Sequence, residues 1–117
     1  MSQKILVIDD HEVMRDLLQE ELQESGYDVV TAESCFDGLN ILKEQEFKLV
    51  ILDIRMPGMD GIEALEKIIN ANRGLPVIIH SAFSHYKENY LTWSAADYIV
   101  KSGDLQPLKD SIAQHIR

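Results

Sequence analysis

Cys35 is the only cysteine, so no intrachain disulfide can staple the fold, and the ordinary reading of this residue is a small, partly buried side chain on a helix. Three prolines and six glycines in 117 residues are too few for a disordered or low-complexity tract. Basic residues are also scarce. Eleven Lys and Arg stand against 20 Asp and Glu, a net charge of -9, so direct contact with nucleic acid or an anionic membrane would meet long-range repulsion. No apolar stretch is long enough to cross a membrane. Met1 leads straight into Lys4-Ile5-Leu6-Val7-Ile8 without the cleavage site of a secretory signal, so a cytoplasmic protein is expected. A content of 45% hydrophobic residues supports a packed core. The length suits one domain, expected to span 1–117 with no room after Arg117 for a linker or output domain.

Short apolar runs rich in Val and Ile recur at Lys4–Asp9, Tyr27–Ala32, Lys48–Asp53, Pro76–Ser81 and Tyr98–Lys101, each too short for an ordinary helix. Three of them are apolar at consecutive positions, as a parallel strand covered on both faces requires. Between the runs the period becomes helical. Val13, Leu17, Leu18 and Leu22 are expected to share a face, as are Ile62, Leu65, Ile68 and Ile69, and then Leu105, Leu108, Ile112 and Ile116. Ser34 with Asp37, and Asp60 with Glu63, have capping-box spacing, and Asp104 precedes the last helix. Ser25-Gly26 and Arg73-Gly74 fall where helices should end, and glycine takes a left-handed conformation there at no steric cost. Five strands alternating with five helices give an α/β three-layer sandwich. Right-handed crossovers favour a doubly wound, flavodoxin-like parallel sheet of order 2-1-3-4-5. Ligands of such folds sit beyond the carboxyl ends of the strands where the order reverses, here between strands 1 and 3.

The first strand ends in Asp9-Asp10, the third in Asp53, the fourth in Ser81 and the fifth in Lys101. Three carboxylates gathered at one spot destabilise one another unless a cation intervenes. Mg2+ suits such a partly open cluster, because it takes one or two carboxylates together with water and phosphate oxygens. Phosphoryl transfer to a carboxylate needs fixed positive or donor groups around the transferring oxygens, and Lys101 and Ser81 are of the right types. Asp53 is then the carboxylate left to act as nucleophile.

These residues resemble the receiver domains of two-component response regulators over nearly the whole chain. The motifs are Ile8-Asp9-Asp10-His11, the run from Leu52-Asp53 through Arg55-Met56-Pro57-Gly58 to Asp60-Gly61, Ser81-Ala82, and Asp97-Tyr98-Ile99-Val100-Lys101. The resemblance implies that Asp53 is the phosphoacceptor, modified to a 4-aspartylphosphate by a histidine kinase or phosphotransfer protein. It implies that Asp10, Asp53 and the backbone carbonyl of Arg55 bind Mg2+ (or Mn2+), with Asp9 acting largely through water. Ser81 and Lys101 would hold phosphate oxygens. Ser81 and Tyr98 would form the switch that alters a surface of the fourth helix, fifth strand and fifth helix, where an output domain, a protein partner or a second copy docks. Arg55 and Phe83 occupy positions that influence the lifetime of the phosphoryl group. Such a domain is a signalling phosphoacceptor, not an enzyme acting on other substrates.

The chain departs from the family at Ser102, where a proline after a cis bond is usual. A trans Lys101–Ser102 bond is expected, since cis is rare outside X-Pro. The stretch from Ser81 to Lys101 is a couple of residues short and carries Ser94 in place of a helix-ending Gly, which bears on the fourth helix. Within it, Phe83, Tyr86, Tyr90 and Trp93 recur at helical spacing. Core packing accounts for part of that stripe, with a docking surface as the alternative. His11, His80, His85 and His115 lack the paired spacing of a metal site and are assigned no chemistry. Asp10 and Asp60 also have a bland reading as helix caps, and Lys101 as a solvated strand end. Rival functions fail at identifiable residues. A flavodoxin needs a hydroxyl- and glycine-rich loop where this chain has Asp9-Asp10-His11-Glu12, and a haloacid dehalogenase-type phosphatase needs an acid where it has Arg55. A phosphorylation-independent pseudo-receiver is weakened because no phosphorylation residue is missing.

Overall fold

The structure is a computed structural model, and residues 3–54, 61–82 and 94–116 are described. The elements run β1 (Lys4–Ile8), α1 (Glu12–Glu24), β2 (Asp28–Ala32), α2 (Cys35–Glu44), β3 (Leu49–Leu52), α3 (Gly61–Ala71), β4 (Val77–Ser81), β5 (Asp97–Val100) and α4 (Gln106–His115). All five expected strands form. They pair in parallel as β2-β1-β3-β4-β5, with Ile8 beside both Ala32 and Leu52, Leu52 beside Ile79, and Ser81 beside Val100. Four of the five expected helices lie among the described residues. The expected fourth, with its stripe from Phe83 to Trp93, lies outside them, as does Asp60, the capping residue expected to pair with Glu63 of α3.

Consecutive apolar residues in β1, β3 and β4 are buried because the sheet is covered on both sides, and alternate residues enter different layers. Leu6, Ile8, Val50, Leu52 and Ile79 pack with Ala64, Leu65 and Ile68 of α3, while Leu39 and Leu42 of α2 close the same layer. Ile5, Val7, Leu49, Ile51 and Ile78 pack with Leu18 and Leu22 of α1 and Leu108 and Ile112 of α4. Cys35 is buried as the first residue of α2.

The chain's punctuation follows local chemistry. Ser34 Oγ accepts from the Asp37 backbone N–H at 3.1 Å and caps α2. Gly26, at φ 97, lets α1 close as a Schellman turn, in which Tyr27 N donates to the Leu22 carbonyl and Gly26 N to that of Gln23. Asp104 accepts from the Gln106 backbone N–H at 2.9 Å at the start of α4. No cis peptide bond occurs among the described residues, so Lys101–Ser102 is trans. One expected face is corrected. Val13 and Leu17 of α1 are 81% and 39% exposed, and Met14 joins Leu18 and Leu22 against the sheet instead. The buried line runs i, i+4, i+8 from Met14, and Val13 and Leu17 each sit about 100° round the helix from it, beyond the arc that the sheet covers.

Candidate functional site

The site is built where β1, β3 and β5 end together. The β1 register carries past Ile8, with Asp9 N donating to the Ala32 carbonyl and Asp53 N to that of Ile8. These bonds seat Asp9 and Asp53 side by side on neighbouring strands. Asp9 and Asp53 are almost wholly buried, while Asp10 is exposed. The turn into α1 is fastened at Asp9: its Oδ1 accepts from His11 N at 2.9 Å, and its carbonyl accepts from Arg15 Nη1 at 2.8 Å. No side chain caps α1, so Asp10 is not consumed as a helix cap.

Lys101 reaches across from the end of β5, where its backbone N donates to the Ser81 carbonyl at 2.7 Å. Its Nζ lies 2.8 Å from Asp9 Oδ2 and 2.9 Å from Asp53 Oδ2, with 11% of the side chain exposed. It is therefore a buried counter-charge and not a solvated strand end. Burial alone would lower its pKa, but hydrogen bonds and charges from Asp9 and Asp53 outweigh that effect and raise it, so the ammonium stays charged.

One ammonium among three carboxylates leaves the cluster net negative. Ligand atoms of Asp9, Asp10, His11 and Asp53 all lie within 4.8 Å of one another, a set able to hold a metal ion. Two buried carboxylates and one exposed one, with a side open to solvent, fit a hard divalent cation that keeps part of its water.

Of the residues singled out from the sequence, Asp9, Asp10, Asp53 and Lys101 come together directly. Ser81 ends β4 fully buried, in register with Val100. Tyr98 lies earlier on β5, half-buried against the layer that contains Ile79. Arg55 and Phe83 lie outside the described residues. Three neighbours carried no chemistry in the sequence reading. His11 sits within the acidic cluster, its Nδ1 3.9 Å from Asp9 Oδ1, and its place next to Asp10 was the available signal. Arg15, one turn into α1, braces the Asp9 carbonyl. His80 is buried at 2% exposure, and burial followed by the Lys101 charge pushes its pKa down to about 4 against the opposing pull of Asp9.

Comparison with known proteins agrees with this geometry. A family described as the response regulator receiver domain matches residues 5–113. The response regulator protein FleR of Pseudomonas aeruginosa is 33% identical over 117 residues, 98% of this chain and 25% of FleR. Sporulation initiation phosphotransferase F of Bacillus subtilis is 30% identical over 118 residues, 99% of this chain and 95% of that protein. Among solved structures, the response regulator TrrA of Thermotoga maritima in complex with Mg2+-BeF superposes with a TM-score of 0.94 at 38% identity, covering 97% of this chain and 99% of that one. TrrA in complex with the histidine kinase ThkA superposes with a TM-score of 0.92 at 38% identity, covering 98% and 99%. The chain thus spans a quarter of the length of FleR and nearly all of the sporulation phosphotransferase. The strand order, the acidic cluster bridged by a lysine and these matches agree: the chain belongs to the response regulator receiver domain family.

Proposed function

We propose that Asp53 accepts a phosphoryl group from the phosphohistidine of a sensor histidine kinase or phosphotransfer protein, and that residues 1–117 form the receiver domain that does so. The observation that carries this reading is the Lys101 ammonium between Asp9 and Asp53, at 2.8 and 2.9 Å, inside an acidic cluster suited to a divalent cation. An Asp53 oxygen attacks phosphorus in line with the donor. The O–P bond forms as the P–N bond breaks, and the donor imidazole leaves with the bonding pair. Lys101 then meets a phosphoryl oxygen, and the Ser81 hydroxyl, at the end of the adjoining strand, meets another. Asp10, Asp53 and, by the family resemblance, the backbone carbonyl of Arg55 would hold Mg2+ or Mn2+, with Asp9 acting largely through water, and the ion would supply positive charge against the remaining phosphoryl oxygens. Arg55 and Phe83, at the chain positions that the family resemblance ties to phosphoryl lifetime, would tune how long the acyl phosphate lasts.

Phosphorylation favours a state in which Ser81 moves toward the phosphate and Tyr98 turns inward, changing the surface of β5, α4 and the segment before β5 that meets an output domain, a partner or a second copy. Val13 and Leu17, exposed in the N-terminal half of α1, leave apolar surface on the helix that follows Asp10, where a donor protein could dock. No described helix is long and apolar enough to cross a membrane. A cytoplasmic location and catalysis confined to the domain's own phosphoryl group complete the reading. A calorimetric titration with beryllofluoride tests it. Tight binding that requires Mg2+ and is lost in Asp53→Asn is expected, whereas equal binding by the variant would place the acceptor elsewhere.

A further inference from the structure

His80 is a buried residue that the phosphoacceptor chemistry does not use. It is the fourth residue of β4, 2% exposed, and its Nδ1 is a buried nitrogen with no hydrogen-bond partner among the described residues. An unpaired polar atom in the interior lowers stability, and an apolar side chain of similar size would avoid the loss. Its position on the sheet gives a reason for keeping it. Ile78, two residues earlier, packs with Val7, Ile51 and Ile99 in the layer beneath α1 and α4. Asp9, Asp53 and Lys101 stand two residues beyond Val7, Ile51 and Ile99, so strand alternation places His80 and all three of these groups on one face. Ile79 and Tyr98 belong to the opposite layer, and Ser81 alternates with His80 toward that side. The imidazole feels the charges of both Lys101 and Asp9 and is neutral at physiological pH. A neutral imidazole offers one accepting nitrogen, and an ammonium offers three donors and no acceptor. Lys101 currently gives hydrogen bonds to Asp9 and Asp53.

We propose that His80 is a positioning residue for Lys101: once a divalent cation occupies the acidic cluster and draws on its carboxylates, His80 Nδ1 accepts the N–H that Lys101 withdraws from them. The nitrogen is unpaired in the free domain and paired in the loaded one, so His80 favours the loaded state and steadies the ammonium where phosphoryl oxygens arrive. The inference rests on the metal-assisted reading above and adds a second connection, from the site toward α4, on the face opposite Ser81 and Tyr98.

The test is a calorimetric Mg2+ titration of the wild-type domain, His80→Met and His80→Gln, with thermal unfolding of each metal-free protein and nitrogen NMR of the His80 ring. His80→Met is expected to raise the metal-free unfolding midpoint yet bind Mg2+ roughly tenfold more weakly, the size of effect that one charge-assisted hydrogen bond supplies. His80→Gln, whose amide oxygen also accepts, is expected to recover most of that affinity, and the Nδ1 resonance of the wild type to move on adding Mg2+. Equal Mg2+ affinity in wild type and His80→Met, or an Nδ1 resonance indifferent to Mg2+, would overturn the proposal. Should His80→Met fail to fold, the His80→Gln titration and the wild-type resonance decide it. Absence of Mg2+ binding by the wild type would be a different result, overturning the metal-assisted reading itself.

Discussion

Lys101 is the group on which two buried acids depend. Asp9 and Asp53 side chains are 3% and 4% exposed, and each gives one oxygen to its Nζ. Lys101→Met would remove the ammonium that both buried carboxylates share, at an expected cost of about 3–5 kcal/mol in urea unfolding of the metal-free domain. Mg2+ should return part of that loss, since it offers the same acids another positive charge, and no loss without metal would contradict the bridge. The two shifted groups act on stability at opposite ends of the pH scale. The folded-state pKa of Lys101 is raised, so its contribution is complete below the unfolded value of 10.5 and is lost as pH climbs through the folded value. His80 is lowered to about 4 from 6.5, so the unfolded chain binds the proton more readily between those values, and stability falls as pH drops through that window. The loss from this group is about 3 kcal/mol by pH 4. Urea unfolding across pH should show a shallower acid slope in His80→Met, and an unchanged slope would refute the assignment. Asp9, Asp10, Asp53 and Lys101 were legible in the sequence because each follows an apolar run that must be a strand, so their meeting place follows from topology. His80 was not, because a histidine inside an apolar run looks the same whether its nitrogens are paired or unpaired.

The elements depend on close approaches that composition hides. Gly38, one turn into α2, lies against β1: a Cβ there would collide with Ile8 Cδ1 and come within 2.8 Å of Ile8 Cγ1, and Ile8 is fully buried. Helix propensity alone would make Gly38→Ala stabilising by about 1 kcal/mol. The collision should reverse the sign and give a net loss of about 1–3 kcal/mol. Because Ile8 directly precedes Asp9, weaker Mg2+ binding should accompany it. Thermal unfolding decides the sign, and a higher midpoint would refute the contact. Element boundaries were readable where a side chain or a positive φ sets them, as at Ser34, Gly26 and Gly74. The inward face of α1 was not, because Val13, Met14, Leu17 and Leu18 form an apolar arc wider than the sheet covers, and only packing decides which edge stays out.

At the scale of the molecule, the parallel order β2-β1-β3-β4-β5 turns residues far apart in sequence into one site, because every strand delivers its last residue to the same edge of the sheet. That order was legible from the alternation of apolar runs and helical periods, together with the handedness of crossovers. The site's charge balance was legible only in part. Three carboxylates at the ends of strands 1 and 3 announced a cation, but the placement of Lys101 between two acids and the Arg15 brace on the Asp9 carbonyl are facts of three dimensions. The central claim is that this arrangement makes Asp53 a phosphoacceptor. Its most direct test is the intact mass of the protein after incubation with Mg2+ and acetyl phosphate, beside a chelated control and Asp53→Asn. A gain of one phosphoryl group that disappears in both controls is the predicted result, and the same gain in Asp53→Asn would contradict it.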